Sequence, residues 1–499
     1  MLKSKFKVLF LYPNLMLQTG FPMAICTFSA ILKQEGFMVE LFDTTFYRTE
    51  EITSDEARME NLQVKPFGMG DKFKHLRTRE QMFEDLVGKV KEYKPDLIAI
   101  SILEDMYPLS VDMLRSIKDF GIPVIAGGVF PTFAPEVVIA EKAVTMICVG
   151  EGEEVLLEVC RRLSNNEDTS DVSSLWVKAD GQIKKNPMRP LRNINLNPVP
   201  DFSIFHEDRF LKPMKGRLYK MAPVETHRGC PYTCSFCNSN SQKDLYKQGT
   251  GERFLRVKEV GQVYSEIKLL IEKYGVEYLY FPADTFLAMS KDYLQEFTRM
   301  YKKFRVPFYC QTRAETINEE TVRCLNEMNC HSLSIGIEHG SEDFRYKLLK
   351  RRVSNKTYID AIKVLEKSNI MVSVNNMIGF PDETRHLAFD TINLNRQLNV
   401  YAHNAYYFTP YHGTPLREYC VKKGYISRDA QTVNITKGTV LNMPQFPQDE
   451  IKGLIRTFTL YVKFPEDRYK EISIAEKFTD EGNMMFKKLQ QEFWQKYFK

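Results

Sequence analysis

The stretch Thr226–Asn238, THRGCPYTCSFCN, carries three of the ten cysteines of the chain. Cys230, Cys234 and Cys237 have the spacing C-x3-C-x2-C and follow a predicted strand at Val224–Thr226. Three thiolates on one loop can hold three irons of a [4Fe–4S] cluster and leave the fourth iron open to a small molecule. A structural zinc site completed by His227 is the alternative, but such sites normally use two separated ligand pairs. The loop therefore predicts an iron–sulfur centre at the end of a strand.

A series of β/α units surrounds this loop. Strands are predicted near Val224–Thr226, Tyr278–Phe281, Pro307–Gln311, Ser332–Ile337, Met371–Met377 and Ala405–Phe408. Helical patterns such as Val260–Tyr274 and Lys356–Lys367 lie between them. About six such units predict a partial (β/α)6 barrel over residues 221–428, with its chemistry at the carboxyl ends of the strands.

The first 165 residues also alternate strand-like and helical patterns. Five strands are predicted, at Phe6–Tyr12, Met38–Asp43, Asp96–Ile102, Pro123–Ala126 and Thr145–Val149. A polar insertion at residues 44–79 interrupts the rhythm. Strands with interleaved helices predict an α/β domain with a five-stranded, doubly wound parallel sheet, and such sheets bind ligands at the carboxyl ends of their strands.

Residue types suited to a ligand site stand at the ends of these predicted strands. They are Pro13, Asn14, Asp43, Ser101, Gly127, Gly128, Gly150 and Glu151. The glycines allow the backbone to approach a large ligand closely. Ordinary turn chemistry is the alternative for any single one of them, whereas the whole set at one predicted sheet edge favours a binding site.

Two further segments complete the predicted domain plan of a sheet domain (1–165), a linker (166–220), a barrel (221–428) and a helical C-terminal domain (429–499). The linker is polar, is broken by Gly and Pro, and is interpreted as a short hairpin followed by a connection that contains PVPDF. The chain ends in a helical pattern at Met484–Lys499. Its apolar side chains are predicted either to pack in a core or to line a substrate entrance.

The composition narrows the class of protein. The 499 residues are 43% hydrophobic, which supports a packed core and excludes a disordered chain, and the net charge of +5 favours no particular partner. No apolar run approaches the ~20 residues of a membrane span, and no signal peptide is recognised, so a cytoplasmic location is expected. The seven other cysteines are interpreted as buried thiols: Cys26, Cys148, Cys160, Cys310, Cys324, Cys330 and Cys420.

With Phe236 as its aromatic residue, the cysteine loop resembles the C-x3-C-x-aromatic-C signature of the radical S-adenosylmethionine (SAM) superfamily. Weaker resemblances follow at Asp284 in YFPADTF, Arg313 in QTRAE, Glu338 in GIEHG and Gly379 in IGFPDET. The segment TPYHGTPL at Thr409–Leu416 also resembles the family, although His412 stands where many relatives have proline. The resemblance implies that the three cysteines bind a [4Fe–4S] cluster whose open iron chelates SAM. It also implies cofactor contacts for Phe236, Asp284, Arg313, Glu338 and Gly379.

The N-terminal half resembles the cobalamin-binding branch of the same superfamily. The resemblance rests on GGVFPTFAPE at Gly127–Glu136, on VGEGEE at Val149–Glu154 and on the linker. It implies cobalamin at the predicted sheet edge. Many cobalamin proteins carry D-x-H-x-x-G, but YPNLMLQTG at Tyr12–Gly20 contains no histidine. The domain is therefore expected to bind cobalamin without a histidine ligand, or else to be vestigial.

These resemblances imply a cobalamin-dependent radical SAM enzyme that methylates an unactivated carbon through a 5′-deoxyadenosyl radical and methylcobalamin. The alternatives are a cobalamin-dependent cyclase or oxidoreductase, an RNA methylthiotransferase, and a non-catalytic cobalamin sensor. A methylthiotransferase needs three further cluster cysteines in the N-terminal domain, where only Cys26, Cys148 and Cys160 are available. The intact cysteine trio argues against a sensor.

The expected partners are a small-molecule substrate and an electron donor. A lipid, a tetrapyrrole or a natural-product intermediate is compatible with the sequence, and no nucleic acid is expected. The radical chemistry implies flavodoxin or ferredoxin as the donor. The basic run Lys347–Arg352, KLLKRR, is interpreted as a solvated helix face, with contact to a phosphate or to the donor as the alternative.

Overall fold

The N-terminal half forms around a seven-stranded sheet in the computed structural model, which describes residues 6–66, 73, 75–179 and 181–497. In chain order the strands are β1 (Lys7–Tyr12), β2 (Met38–Asp43), β3 (Tyr47–Arg48), β4 (Arg77–Thr78), β5 (Leu97–Ser101), β6 (Val124–Gly127), β7 (Met146–Cys148), β8 (Leu175–Ala179) and β9 (Gln182–Lys185). The sheet has the order β2-β1-β5-β6-β7-β8-β9, while β3 and β4 form a separate pair. The first five strands in this order, from β2 to β7, are parallel to one another. The β8–β9 hairpin is antiparallel, and its β8 pairs antiparallel with β7.

The five parallel strands confirm the doubly wound sheet. The hairpin that the sequence places in the linker joins this sheet and extends it to seven strands. Leu175 pairs with Cys148, and Val177 pairs with Met146. Both hairpin residues are buried. The hairpin therefore covers the edge of β7 that the parallel strands leave unpaired.

Helices cover both faces of the sheet. They are α1 (Met23–Gln34), α3 (Arg79–Tyr93), α4 (Tyr107–Ser116), α5 (Val129–Phe133), α6 (Pro135–Ala140) and α7 (Glu153–Ser164), while α2 (Ser54–Glu60) lies in the polar insertion that follows β2. Val8 and Phe10 of β1 enter one hydrophobic cluster, and Leu9 and Leu11 enter another on the opposite face. Because β1 is buried on both faces, its sequence is an unbroken apolar run.

The second half contains another seven-stranded sheet. Its strands, with a separate short pair β12–β13, are β10 (Leu211–Met214), β11 (Arg217–Pro223), β12 (His227–Arg228), β13 (Arg256–Val257), β14 (Tyr278–Phe281), β15 (Phe308–Thr312), β16 (Cys330–Glu338), β17 (Met371–Ile378) and β18 (Ala402–Tyr407). The order is β10-β11-β14-β15-β16-β17-β18. The six strands from β11 to β18 are parallel and form the partial barrel that the sequence predicts.

The predicted position of the first barrel strand was wrong. Strand β11 ends at Pro223, before the predicted Val224–Thr226. It begins earlier because Arg217–Lys220 pairs with β10 in an antiparallel hairpin. The parallel pairing of β11 with β14 then covers only Met221–Pro223.

The barrel is completed by a layer of helices that continues into the C-terminal segment. They are α8 (Asn238–Gly249), α9 (Val260–Tyr274), α10 (Lys291–Tyr301), α11 (Glu319–Glu327), α12 (Glu342–Lys347), α13 (Asn355–Leu365), α14 (Arg385–Arg396), α15 (Pro415–Lys422), α16 (Gln448–Lys463), α17 (Tyr469–Ala475) and α18 (Asp480–Tyr497). Phe458 of α16 and Phe493 of α18 share one hydrophobic cluster with Phe380 and Phe408 of the barrel. Of the two predictions for the last helix, core packing therefore applies to Phe493.

Phe498, an aromatic residue at the end of the predicted last helix, lies outside the described residues.

Among the helices that the structure describes, none combines the length and the apolar character needed to span a bilayer.

Candidate functional site

The three clustered cysteines lie on the loop between β12 and α8, at the carboxyl ends of the barrel strands. Cys230 Sγ is 3.6 Å from the hydroxyl of Thr285, which follows β14. Cys234 Sγ accepts a hydrogen bond of 3.2 Å from Nη1 of Arg313, which follows β15. All three are free thiols, and burial raises the pKa of Cys237 to about 11.

The donor set fits a cluster. In the described part of the chain, no three His, Cys, Asp or Glu side chains converge tightly enough to hold a single metal ion. A [4Fe–4S] cluster instead takes one thiolate on each of three irons, so its ligands stand further apart. The loop presents three thiols together with two adjacent buried cations.

Those cations are Arg313 and Arg351, which are 6% and 4% exposed. Nη1 of Arg351 lies 4.0 Å from Cys234 Sγ, and its Nε donates to the hydroxyl of Tyr358 at 3.1 Å. The guanidinium of Arg313 lies 3.8 Å from the ring centroid of Tyr232. Two buried guanidiniums beside one sulfur would stabilise the negative charge that a bound cluster gains on reduction.

The inward position of Arg351 corrects the interpretation of the basic run. Its neighbours Lys350 and Arg352 are exposed, as predicted for a solvated face, but Arg351 is buried between β16 and the cysteine loop. Charge alone did not distinguish the three residues. Their alternation with buried Leu349 and Val353 is the available signal, since it indicates a segment with one face inside.

The two carboxylates predicted at strand ends lie at this same edge. Asp284 follows β14, and its Oδ2 accepts a 2.6 Å hydrogen bond from the hydroxyl of Ser239, two residues after Cys237. Glu338 ends β16, and its Oε1 lies 3.7 Å from Nη1 of Arg351. Burial raises the pKa of Glu338, and Arg351 opposes that rise. Carboxylates at these positions can accept hydrogen bonds from the amino or ribose groups of SAM.

Glu338 depends on a special backbone. It has φ of +69°, a left-handed conformation uncommon outside glycine. A Cβ at Gly336 would lie 2.1 Å from Glu338 Oε1, so no larger residue is compatible with this carboxylate position. The GIEHG motif therefore holds a carboxylate in an unusual conformation, a feature that clusters at functional sites.

Phe236 and Gly379 lie on the side of the cysteine loop that faces the C-terminal helices. The ring of Phe236 is 6.2 Å from that of Phe380 in an edge-to-face arrangement. Gly379 has φ of +91°, and its N–H donates to Glu383 Oε2 at 2.5 Å. A Cβ there would be 3.2 Å from Ile451 of α16. The turn therefore packs against α16.

Glu383 was not singled out from the sequence. Its Oε1 lies 3.2 Å from Nε2 of His339, and both side chains are fully buried. The pair joins the turn after β17 to the segment after β16. Glu383 lies in the quoted IGFPDET motif and His339 in the quoted GIEHG motif. Only the tertiary structure shows that these two motifs are in contact.

A first cavity, of about 310 Å³, lies where the N-terminal sheet meets α8. Of the residues predicted at the sheet edge, it is lined by Ser101, Gly127, Gly128, Gly150 and Glu151. Its apolar walls include Phe10, Phe28 and Leu156. This narrow apolar space at glycine turns fits a flat aromatic group such as the nucleotide end of cobalamin.

Glu151 also joins the two halves of the molecule. Its carboxylate is 2.9 Å from Nη1 of Arg228 and is paired with Arg256. Its N–H donates to the hydroxyl of Tyr246 on α8 at 2.6 Å. The same Arg228 lies 2.7 Å from Glu153. The carboxylate of Glu151 is therefore occupied by two arginines of the barrel, and its backbone lines the cavity.

The remaining predicted edge residues, Pro13, Asn14 and Asp43, lie away from the first cavity. Asp43 Oδ1 accepts hydrogen bonds from the N–H and hydroxyl of Thr45. Asp43 also pairs with the fully buried Arg209 of the linker at 3.3 Å. Asn14 donates to Thr45 Oγ1 at 2.8 Å. These contacts anchor the linker to the strand ends, and sequence reasoning missed Arg209.

A second cavity, of about 700 Å³, lies inside the barrel, and we call it the lumen cavity. Strand residues that line it include Tyr280, Tyr309, Ser334, Asn375, Asn404 and Tyr406. Asn14 lines its N-terminal side. Ser332 and Ser334 lie in the first half of β16, and Glu338 ends that strand, so the cavity lies below the cluster end of the barrel.

The other seven cysteines are buried, as predicted. Cys26, Cys148 and Cys160 lie in α1, β7 and α7 and belong to one hydrophobic cluster. Burial raises the pKa of Cys148 to about 12. These thiols lie in core positions of regular elements, unlike the open loop that carries the trio.

Two family models match the chain. The radical SAM superfamily model matches residues 224–394, and the B12 binding domain model matches residues 16–160. They correspond to the barrel with its cysteine loop and to the parallel part of the N-terminal sheet.

The proteins that are similar to the chain include two relatives and one solved structure. An uncharacterized methyltransferase of Pyrococcus horikoshii is 27% identical over 77% of this chain and 81% of its own length. An anaerobic magnesium-protoporphyrin IX monomethyl ester cyclase of Rubrivivax gelatinosus is 22% identical over 68% of this chain and 61% of its own. The structure of OxsB, a cobalamin-dependent SAM radical enzyme with aqua-cobalamin and SAM bound, matches with a TM-score of 0.68 and 14% identity. That match covers 98% of this chain and 71% of OxsB.

Proposed function

Because the chain belongs to the B12-binding branch of the radical SAM superfamily, we propose that it methylates an unactivated carbon of a small-molecule substrate. Its cofactors are a [4Fe–4S] cluster, SAM and cobalamin. When bound, these cofactors supply a methyl group, carried from one SAM by cobalamin, and a 5′-deoxyadenosyl radical from a second SAM that removes the substrate hydrogen atom.

In this proposal Cys230, Cys234 and Cys237 ligate the cluster. Arg313 and Arg351 offset negative charge at Cys234, because both guanidiniums reach its sulfur. Asp284 and Glu338 hold polar groups of SAM at the ends of β14 and β16.

On the cobalamin side, Ser101, Gly127, Gly128, Gly150 and the backbone of Glu151 enclose the nucleotide end of the cofactor. Pro13, Asn14 and Asp43 shape the neighbouring strand ends. Phe236 and Gly379 support the SAM side through packing against Phe380 and α16.

The position of α8 carries this proposal. The helix begins at Asn238, directly after Cys237, and its Tyr246 contacts Gly150 and Glu151 at the first cavity. Tyr246 lies eight residues after Asn238, about 12 Å along the helix at 1.5 Å per residue. One helix thus connects the cysteine loop to the first cavity, which supports two cofactors that act on one substrate.

Anaerobic reconstitution with iron, sulfide and cobalamin tests the proposal. We expect iron–sulfur absorbance and SAM-dependent 5′-deoxyadenosine. Cys234→Ala should abolish both, whereas the matched control Cys324→Ala, at a buried thiol of α11, should retain both. A wild-type protein that forms neither the chromophore nor 5′-deoxyadenosine contradicts the proposal.

The similarity to a cyclase supports a second candidate, ring formation or oxidation without methyl transfer. Mass spectrometry separates the two. Methylation adds one CH2 unit to the substrate and incorporates label from methyl-labelled SAM, whereas a cyclase product gains no labelled carbon. We propose flavodoxin or ferredoxin as the electron donor, and replacement of dithionite by either protein in the same assay tests it.

A further inference from the structure

The lumen cavity has a wall that does not come from the barrel. Helix α2, within the polar insertion between β2 and α3, carries a capping box of Thr53 and Glu56. After this helix, Gln63 Nε2 donates to the carbonyl of Ala405 on the edge strand β18 at 2.7 Å. The β10–β11 hairpin, at the opposite edge of the same sheet, contributes Lys212 of β10 and Lys215 of the turn. The insertion therefore closes the open side of the barrel.

Four cations line this closed side: Arg58 of α2, Lys65 of the same insertion, Lys212 and Lys215. The acidic groups that line the cavity are already engaged. Asp55 lies 3.2 Å from Arg58, and Asp105 accepts a hydrogen bond from Asn434 at 3.0 Å. Within the described residues, neither Lys212 nor Lys215 has an ion pair.

Instead, the ammonium groups of these two lysines lie over aromatic rings. Lys212 Nζ is 5.3 Å from the ring centroid of Tyr280, and Lys215 Nζ is 3.9 Å from that of Tyr401. Burial, with a smaller contribution from Arg58, lowers the pKa of Lys215 to about 8. Partly desolvated ammonium groups without a counter-charge favour the entry of an anion.

The barrel wall of the cavity is polar. Ser332 and Ser334 of β16, Ser373 and Asn375 of β17, and Asn404 of β18 line it side by side. Asn404 is 5% exposed and donates to Asn375, but its own Oδ1 has no hydrogen-bond partner within the described residues. The buried Oε1 of Gln63 is likewise without a partner there. Barrel interiors are usually filled by bulky branched side chains, so small polar ones indicate a ligand with hydrogen-bonding groups.

We propose that the lumen cavity binds the substrate of the proposed reaction as an anion, with its carboxylate or phosphate held by Lys212, Lys215 and Arg58. Its polar body donates hydrogen bonds to Asn404 and Gln63. This inference rests on the proposed function for the role of the ligand, and it excludes a fully apolar lipid, which would leave the buried amides and ammonium groups unpaired. It predicts the charge class of the substrate.

Calorimetric titration of the reconstituted holoenzyme with pyrophosphate and, separately, with citrate tests the proposal and distinguishes phosphate from carboxylate. We expect one of the two to bind, and Lys215→Ala to weaken it by about tenfold, the effect of one charge-assisted hydrogen bond. Lys215→Arg should restore binding. Arg217→Ala is the matched control, because it removes an exposed cation of the same hairpin outside the cavity and should leave affinity unchanged.

Cobalamin content and 5′-deoxyadenosine formation are measured on the same samples. Weaker anion binding with unchanged cobalamin content supports the proposal. Loss of cobalamin in Lys215→Ala would assign the cations to the cofactor, and binding of neither anion to wild type would leave the site without the proposed charge preference. Either result overturns the inference. Loss of 5′-deoxyadenosine in wild type instead contradicts the proposed function alone.

Discussion

Arg351 is the residue at which the cysteine loop, the barrel and a strand-end carboxylate meet. Its guanidinium reaches Cys234 Sγ, the carbonyl of Gly336 and the carboxylate of Glu338. A buried cation in this position stabilises negative charge on either side. Arg351 therefore couples the charge of the cluster electrostatically to Glu338, the carboxylate that we propose to bind SAM.

We predict that Arg351→Gln lowers the reduction potential of the cluster, because removing a buried positive charge disfavours the reduced state. The expected shift is on the order of tens of millivolts. A redox titration followed by electron paramagnetic resonance measures it. Arg352→Gln, at the exposed neighbour, is the control and should leave the potential unchanged. Equal potentials in wild type and Arg351→Gln would show that the guanidinium is only a packing element.

Lys215 gives a prediction of pH dependence for the lumen cavity. Burial and Arg58 lower its pKa to about 8. The other charged or titratable groups near it are Tyr401, Asp55, Lys65, Lys212 and His331, whose own pKa is lowered by burial and by Lys215. As pH rises through the pKa of Lys215 its ammonium loses its proton, so affinity for citrate, whose carboxylates stay ionised, should fall. Titrations across this range measure the fall, which Lys215→Arg should reduce. An unchanged profile in that variant would contradict the role of Lys215.

At the scale of elements, the turn between β6 and α5 forms one wall of the first cavity. Gly128 has φ of +111°, and a Cβ on it would lie 2.8 Å from the carbonyl oxygen of Ile102. At Gly127 a Cβ would make only an ordinary contact of 3.8 Å with Cys148. Substitutions at the two glycines therefore test different effects. A side chain at Gly128 strains the backbone, whereas a side chain at Gly127 only fills the cavity.

We predict that Gly127→Leu lowers the cobalamin retained after reconstitution and gel filtration, because its side chain fills the first cavity without a strained backbone. Gly128→Ala should also lower it, through strain at the turn. Cobalamin absorbance relative to protein is the measurement. Gly88→Ala in α3, where the new Cβ meets nothing within 4 Å, is the control and should retain full cobalamin. Full retention in Gly127→Leu would place the cofactor elsewhere.

At the scale of the whole molecule, ion pairs hold the sheet domain against the barrel. Arg228 lies within 3.1 Å of carboxylates of Glu225 in the barrel and of Glu151 and Glu153 in the N-terminal half. Glu104, at the end of β5, accepts hydrogen bonds from the N–H and Nδ1 of His412 beyond β18. The Arg228 contacts lie at the first cavity, and Glu104 lies next to residues that line the lumen cavity. The geometry of both cavities therefore depends on the contact between the two domains.

We predict that Arg228→Ala destabilises the folded protein by about 3 kcal/mol, because Glu153 is left buried without its cation. Urea denaturation, with probes in each half, measures this change. Arg253→Ala removes an exposed arginine near the same interface and should change stability by less than about 0.5 kcal/mol. A wild-type midpoint in Arg228→Ala would show that the interface does not depend on this cation.

The sequence predicted features that depend on neighbours along the chain. The cysteine spacing, the parallel strands of both halves and the glycine turns are local patterns. They determined the fold class, and their resemblance to a known family implied the cofactors. The β8–β9 hairpin was recognised, but its place at the edge of β7 was not, because strand pairing between distant segments leaves little trace in either segment.

Only the tertiary structure decided which charges are free to bind a ligand. Glu151 and Asp43 look alike at strand ends, yet Arg228, Arg256 and Arg209 reach them from distant segments. The polar insertion had no predicted role until the fold placed Gln63 on β18 and Arg58 in the lumen cavity. The physical reason is the range of the interactions: periodicity and turns are set within a few residues, whereas the pairing of buried charges depends on how distant elements pack.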